Sequence, residues 1–157
     1  MLSIDANLLF YAFNADCPQQ AAAEAYLKSL TEREDIVLSE FVFCEFYVLL
    51  RNPVVLHNPL TPREASEVIR TYRGHPLWKI VGFPPQSRVI HEELWTLASN
   101  REFARRRLFD ARTALTLIAF GVKEFATANT KDYEGLGFDK IWNPLQQFSQ
   151  SPSHEIL

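Results

Sequence analysis

Four acidic residues, Asp5, Glu45, Asp110 and Asp132, stand out because each falls where an apolar run gives way to the next element. Asp5 ends the opening run Leu2-Ser3-Ile4, and Asp132 follows the strand-like Phe125-Ala126-Thr127. Asp110 opens a helix, and Glu45 lies on the helix that leaves the second strand. An α/β sheet places its chemistry at the carboxyl ends of its strands and the starts of the following helices, so all four can converge on one rim. Carboxylates gathered there repel one another unless a positive charge neutralises them, and a hard divalent cation does so through oxygen ligands. Mg²⁺ or Mn²⁺ fits that description. Such an ion polarises a phosphodiester oxygen and lowers the pKa of a water, which is hydrolysis of a phosphate ester without a protein nucleophile.

Each acid also has a plainer reading. Asp5, ahead of Ala6-Asn7, can simply cap the first helix, and Asp110 can cap its own. Asp132, in Asn129-Thr130-Lys131-Asp132-Tyr133, can be an ordinary turn residue. Glu45 is different, standing among Phe41, Val42, Phe43, Cys44, Phe46, Tyr47 and Val48 on a helix apolar nearly all round. Helical spacing puts Phe41, Cys44 and Val48 on its face. A buried lone carboxylate is costly, so Glu45 is expected to have a metal, a proton or an ion-pair partner.

Rival chemistries find little support. His57, His75, His91 and His154 lack zinc-like spacing, and neither Cys17 nor Cys44 neighbours a histidine. Gly74, Gly82, Gly121, Gly135 and Gly137 form no GxGxxG or P-loop pattern, which sets nucleotide cofactors aside. A receiver-like or phosphatase domain would want a lysine at a strand end, and only Lys131 is near the rim.

The elements that must position the acids read as follows. Leu2 to Ile4 is a strand, and Asn7 to Asn14 is a helix with Leu8, Leu9, Tyr11, Ala12 and Phe13 at helical spacing. Pro18 opens a second helix that runs to Leu30, giving a helical hairpin. Ile36-Val37-Leu38 is a buried parallel strand, and Ser39 caps the helix Glu40 to Arg51, which Asn52-Pro53 ends. Thr61 caps a helix from Pro62 to about Tyr72, Trp78 to Phe83 is a strand, and a helix through Glu93, Leu94, Trp95 and Leu97 ends near Asn100. Arg101 to Arg107 is a basic loop, Leu108 to Gly121 a helix with Gly121 just past its end, Phe125 to Thr127 a strand and Lys140 to Trp142 the last strand. Strands alternating with helices predict an α/β domain with a mostly parallel central sheet flanked by helices. The domain is expected to span residues 1–145, with a loosely ordered tail over 146–157.

Composition agrees with one compact domain: 157 residues, 47% hydrophobic and 22% charged, with a formal net charge of −3 that by itself points away from a nucleic-acid binder. That sum hides a cluster of Arg101, Arg105, Arg106, Arg107 and Arg112 around Asp110. Neutralising the four acids would bring the formal charge from −3 to +1 and leave this stretch free to attract phosphates. Its plain reading is a solvated loop, or arginines paired with Glu102 or with an acidic partner. Trp78, Trp95 and Tyr133 could stack on bases but read more simply as core or interface residues. Two distant cysteines and no signal-peptide pattern imply a reducing, cytoplasmic location, and no apolar stretch approaches the ~20 residues of a membrane span.

The chain resembles the PIN-domain family and, within it, the VapC-type toxins of toxin–antitoxin pairs. Ile4-Asp5-Ala6-Asn7-Leu8-Leu9 looks like the family's opening strand and Asp-x-Asn turn, and Ser39 with Glu45 like its second strand–helix unit. Leu108-Phe109-Asp110-Ala111, with Gly121-Val122 after the helix, looks like the third-acid motif. Ala126-Thr127-Ala128-Asn129-Thr130-Lys131-Asp132-Tyr133 resembles the Thr-x-Asn/Asp-x-x-Asp-Phe segment, and Trp142-Asn143-Pro144-Leu145 the closing strand. Asn129 stands where some relatives carry an aspartate, and Tyr133 where Phe is usual.

The resemblance implies a metal-dependent endoribonuclease, usually dimeric, inhibited by an antitoxin seated near the acids. Asp5, Asp110 and Asp132 are then expected to bind Mg²⁺ or Mn²⁺, with Glu45 orienting the ion or its water. Asn7, Ser39, Thr127 and Asn129 would hold the acids in place, and Arg105, Arg106, Arg107 and Arg112 would hold RNA phosphate. The rival expectation is a protein-interaction module of the same fold without catalysis. The apolar surplus on the hairpin Asn7 to Leu30 and the helix Glu40 to Arg51 predicts a homodimer interface or an antitoxin groove there.

Overall fold

The structure, a computed structural model, describes residues 1–148, and the remaining 149–157 lie outside the described residues. Five short strands carry the sheet: β1 (Leu2–Ile4), β2 (Val37–Ser39), β3 (Lys79–Val81), β4 (Glu124–Ala126) and β5 (Lys140–Trp142). All pair in parallel, β1 with β4, β4 with β5, and β2 with β3. The two groups join through a single parallel bridge between Leu2 and Ile36, giving the order β3-β2-β1-β4-β5. The chain therefore leaves β1 towards one edge and later returns to pair β4 on its other side. The reversal opens a crevice at the carboxyl ends of β1 and β4, where open α/β sheets bind ligands.

Helices cover both faces, α1 (Ala6–Phe13), α2 (Gln20–Leu30), α3 (Glu40–Leu50) and α4 (Pro62–Arg73) on one, α5 (Ser87–Ala98) and α6 (Arg107–Ala119) on the other. The period of two along each strand sorts the core into these layers. Ile36 and Leu38 of the second strand region pack with α1 to α4, whereas Val37 packs with α5 and α6; Ala126 and Phe125 divide in the same way. The central strands β1 and β2 are buried along their whole length, whereas the edge strands β3 and β5 open on exposed Lys79 and Lys140.

Local signals set the boundaries. Ser39 Oγ accepts from Phe41 N at 3.1 Å and caps α3, while Thr61 and Glu64 form a reciprocal capping box at the start of α4. Gly121, at φ +85°, ends α6 with the Gly121 amide donating to Ile118 O and the Val122 amide to Leu117 O, a helix stop that delivers the chain into β4. Pro18 lies in the turn before α2, whose helical residues begin at Gln20, two positions later than proline placement predicts. Asp132 stands in a one-turn helix, α7 (Thr130–Tyr133), where an open turn was expected. A last turn, α8 (Leu145–Phe148), packs on α2, with the Phe148 ring edge-on to Tyr26 at 5.8 Å. The expected boundary after residue 145 falls inside this turn, and the rest of the expected tail is among residues not described.

Most of the hairpin's apolar surplus goes inward: helix α1 is wedged between α2 and α3, and Leu8, Leu9, Phe10, Ala22, Ala23, Tyr26, Leu27 and Leu30 are buried, while Phe13 stays exposed and lines a groove with Ala12 and Tyr72. On α3 the outer side stays open, and Cys44, Tyr47 and Val48 line a groove of about 570 Å³ against Ile69, Arg70 and Arg73 of α4. Cys17 and Cys44 are both free thiols. Among the described residues no helix is long and apolar enough to cross a membrane.

Candidate active site

Asp5 ends β1 at the sheet's switch point and occupies the N-cap position of α1, yet its side chain makes no capping hydrogen bond within that motif. Its Oδ2 instead accepts from Thr127 Oγ1 at 2.6 Å and from Asn7 Nδ2 at 2.9 Å. Asn7 also reaches Thr127 Oγ1 at 3.1 Å and accepts the Ala128 amide, and Thr127 Oγ1 accepts the Asn129 amide at 3.0 Å. This closed network ties the end of β1 to the end of β4 across more than a hundred residues. Oδ2 takes these two short hydrogen bonds, and Oδ1 a longer one of 3.4 Å from the Tyr133 hydroxyl, so Oδ1 is the oxygen Asp5 more readily offers to an ion.

Burial is what perturbs Asp5 most. The residue is 4% exposed, and loss of water, opposed by the Thr127 bond, pushes its pKa up to about 6. Asp110, half-buried in the first turn of α6, is likewise pushed up to about 6, by burial first and then by the charges of Asp5 and Asp132. It lies past the N-cap, so it is not the capping residue of the plainer reading. The Asp132 side chain, exposed on α7, has no hydrogen-bond or ion-pair partner among the described residues.

Glu45 departs from expectation. The buried face of α3 is Val42, Phe43, Phe46 and Leu50, so Glu45 falls with Cys44 and Val48 on the opposite, open side and is exposed. Its surroundings remain unusual for a surface carboxylate. It lines a cleft of about 640 Å³ shared with Phe41, Arg106, Phe109, Asp110, Arg112 and Asp132. Desolvation by that wall, followed by repulsion from Asp5 and Asp110 and opposed by Arg112, pushes its pKa up to about 7.

Asp5, Glu45 and Asp110 thus feel the charges of neighbouring acids, Asp132 adding to the repulsion at Asp5 and Asp110. Among the described residues, no three His, Cys, Asp or Glu side chains are already drawn together tightly enough to hold an ion. Asp5 is locked by its network, whereas Glu45 and Asp132 are exposed side chains that can rotate onto a cation. The donor set is all oxygen and strongly negative, which suits a hard divalent ion.

The remaining expected residues separate clearly. Asn7 and Thr127 touch Asp5 directly. Ser39 caps α3 and has no hydrogen bond to any of the four acids, and the Asn129 side chain is exposed beside Lys131 and Asp132. Arg106 and Arg112 line the acid cleft. Arg107 donates to the Glu134 carbonyl and lines a different cleft while its charge still reaches Asp110, and Arg105 is exposed. None of Arg101, Arg105, Arg106, Arg107 or Arg112 forms an ion pair among the described residues, so pairing with Glu102 does not explain them.

One functional contact was missed from sequence. Tyr133 is buried against Phe125, and its hydroxyl donates to Asp5 Oδ1 at 3.4 Å and toward Asp110. Burial and the surrounding carboxylates raise its pKa, so it stays a proton donor. The departure from the usual Phe was the available signal.

No family model matches the chain. Ribonuclease VapC24 of Mycobacterium tuberculosis is 46% identical over 145 residues, covering 92% of this chain and 97% of that protein. Among solved structures, FitAB bound to an IR36 DNA fragment superposes with a TM-score of 0.63 at 20% identity, covering 99% of this chain and all of that one. FitAcB from Neisseria gonorrhoeae gives 0.63 at 20% identity over 92% and 98% of the two chains. M. tuberculosis VapC20, described as a toxin that cleaves the sarcin-ricin loop, gives 0.61 at 14% identity over 80% and 87%. These structural likenesses speak for the fold. The identity to VapC24 over nearly the whole length speaks for more, and the chain belongs to the VapC family of PIN-domain ribonucleases.

Proposed function

We propose that this VapC-family ribonuclease hydrolyses RNA phosphodiester bonds with Mg²⁺ or Mn²⁺ held by Asp5 through Oδ1, Asp110 and Asp132. The observation that carries the reading is the convergence of four carboxyls at the sheet's switch point, three of them with raised pKa values. A bound divalent ion supplies Lewis-acid polarisation of a phosphate oxygen and acidifies a water. Glu45, at the mouth of the cleft and poised near neutrality, accepts a proton from the attacking water. Arg112 and Arg106, on the same wall, hold the phosphate by charge-assisted hydrogen bonds. Asn7 and Thr127 fix Asp5, and the Tyr133 hydroxyl lies between Asp5 and Asp110.

Membership in the VapC family also implies an antitoxin partner. The α3–α4 groove, with an apolar wall and Glu40, Arg70 and Arg73 at its edge, offers one place for it, and self-association into a homodimer belongs to the same proposal.

The test is cleavage of a structured RNA pool by protein freed of any copurifying partner, with Mn²⁺, Mg²⁺ or EDTA, and with Asp110→Asn as control. Metal-dependent cleavage that disappears in the variant is expected. Equal cleavage by the variant would remove Asp110 from the site, and cleavage in EDTA would remove the metal. A protein that binds a partner but cleaves no RNA, including total cellular RNA, would favour the interaction-module reading.

A further inference from the structure

We propose that Phe109, Phe41 and Phe83, with Arg112 between the first two, form a stacking track on which unpaired nucleotides of the substrate lie as they leave the acid cleft. The proposal rests on the ribonuclease reading and adds the side chains that would hold the bases beside the acids. Phe109 immediately precedes Asp110 and is 59% exposed, and Phe83 is 68% exposed. Phe109 and Phe41 line the same cleft as Glu45, Asp110 and Asp132.

The flat groups follow one another without a gap. The Arg112 guanidinium is 5.5 Å from the Phe109 ring centroid and 3.9 Å from that of Phe41. Phe41 meets Phe83 edge-on at 5.2 Å, and Phe83 lies 6.3 Å from the His91 ring. Among the described residues the buried Arg112 Nε has no hydrogen-bond partner and the guanidinium forms no ion pair, although its charge reaches Glu45, so its packing contacts are the two rings. Exposed Arg101, Arg105 and Arg106 stand in the loop that precedes α6.

Single-stranded nucleic acid is bound by this combination, cations along the backbone and aromatic faces under the bases. A duplex keeps its base faces covered and would meet only the arginines. A second copy of the chain is a poorer occupant, because a two-fold contact sets a patch against itself and would bring two unpaired arginine clusters together.

The experiment uses the full chain in the Asp110→Asn background, which removes cleavage, and measures fluorescence anisotropy of a labelled oligoadenylate and of its duplex with oligouridylate. Each stacked base is worth roughly 5- to 160-fold in affinity, so Phe109→Ala and Phe83→Ala should each weaken oligoadenylate binding by at least about fivefold. Phe109→Trp should restore it, and duplex binding should change less than twofold in every variant. Thermal melts verify that these exposed positions leave folding intact. Oligoadenylate binding within twofold of the parent for either alanine variant overturns the track. So does duplex bound as tightly as single strand, or Phe83→Ala converting a dimer to a monomer by light scattering, which assigns the face to a second copy. Because binding is read without cleavage, failure here is separate from failure of the ribonuclease reading.

Discussion

Replacing Asp5 with Asn should make the metal-free protein more stable at neutral pH while disabling its site. Burial raises the Asp5 pKa from an ordinary 3.8 to about 6, so the native state holds this proton more tightly than the unfolded chain does. Its contribution is therefore fully favourable below pH 4 and is lost as pH rises through about 6. A shift of about two units corresponds to ~3 kcal/mol at pH 7 and above. Asn keeps an acceptor for Thr127 Oγ1 and Asn7 Nδ2 but carries no charge, so at pH 8 in EDTA the variant should gain up to ~3 kcal/mol, or roughly 5–10 °C in Tm for a chain of this size. At pH 4 the two proteins should melt within a few degrees of each other. Mn²⁺ at about a hundred times its Kd should raise the wild type by ~2.7 kcal/mol and leave the variant unmoved. Thermal unfolding at pH 4, 6 and 8, with EDTA and with Mn²⁺, reads all of this. A variant that is less stable at pH 8 in EDTA, with the same pH slope as the wild type, would refute the reasoning.

Thr127→Val removes the donor to Asp5 and the acceptor for two N–H groups, so it should cost about 1–3 kcal/mol of stability and 10- to 100-fold in Mn²⁺ affinity, with Thr127→Ser restoring both. Cleavage at subsaturating metal should fall as pH drops from about 7 to 5, because Glu45, Asp110 and Asp5 take up protons in that window; saturating metal should move the limb to lower pH, and a flat profile would contradict the assignment. Ser39→Ala should cost about 1 kcal/mol in urea unfolding through loss of the α3 cap and leave Mn²⁺ affinity unchanged; a large loss of affinity would show that Ser39 does more than cap.

Much of this fold is legible because it is local. The strand Leu2–Ile4, the Ser39 cap, the Thr61–Glu64 box and the Gly121 stop are each encoded within a few residues, and they put Asp5, Asp110 and Asp132 at element ends. What local pattern could not decide was which way a helix faces when it is apolar all round. Helix α3 buries Val42, Phe43 and Phe46 and so turns Glu45 outward, the reverse of what an apolar neighbourhood suggests. For the same reason the hairpin's apolar residues divide in a way the pattern does not show, with Leu8, Leu9 and Phe10 in the core and Phe13 exposed. Contacts between distant segments were the least visible. The Asn7–Thr127 link spans 120 positions and was reachable only through family resemblance, and the Tyr133 hydroxyl was noticed only as an exchange of Tyr for Phe. The run from Phe109 through Phe41 to Phe83 joins two helices and the loop after β3 and has no signature along the chain.

The central claim, that Asp5, Asp110 and their neighbours form a site for a divalent ion, is tested most directly by titrating Mn²⁺ into the partner-free protein at pH 8 and following the free ion by electron paramagnetic resonance. The account predicts saturable binding by the wild type that weakens at least about 100-fold in both Asp5→Asn and Asp110→Asn, with the variants still folded. Wild-type protein that binds no Mn²⁺, or variants that bind it as well as the wild type, would contradict it.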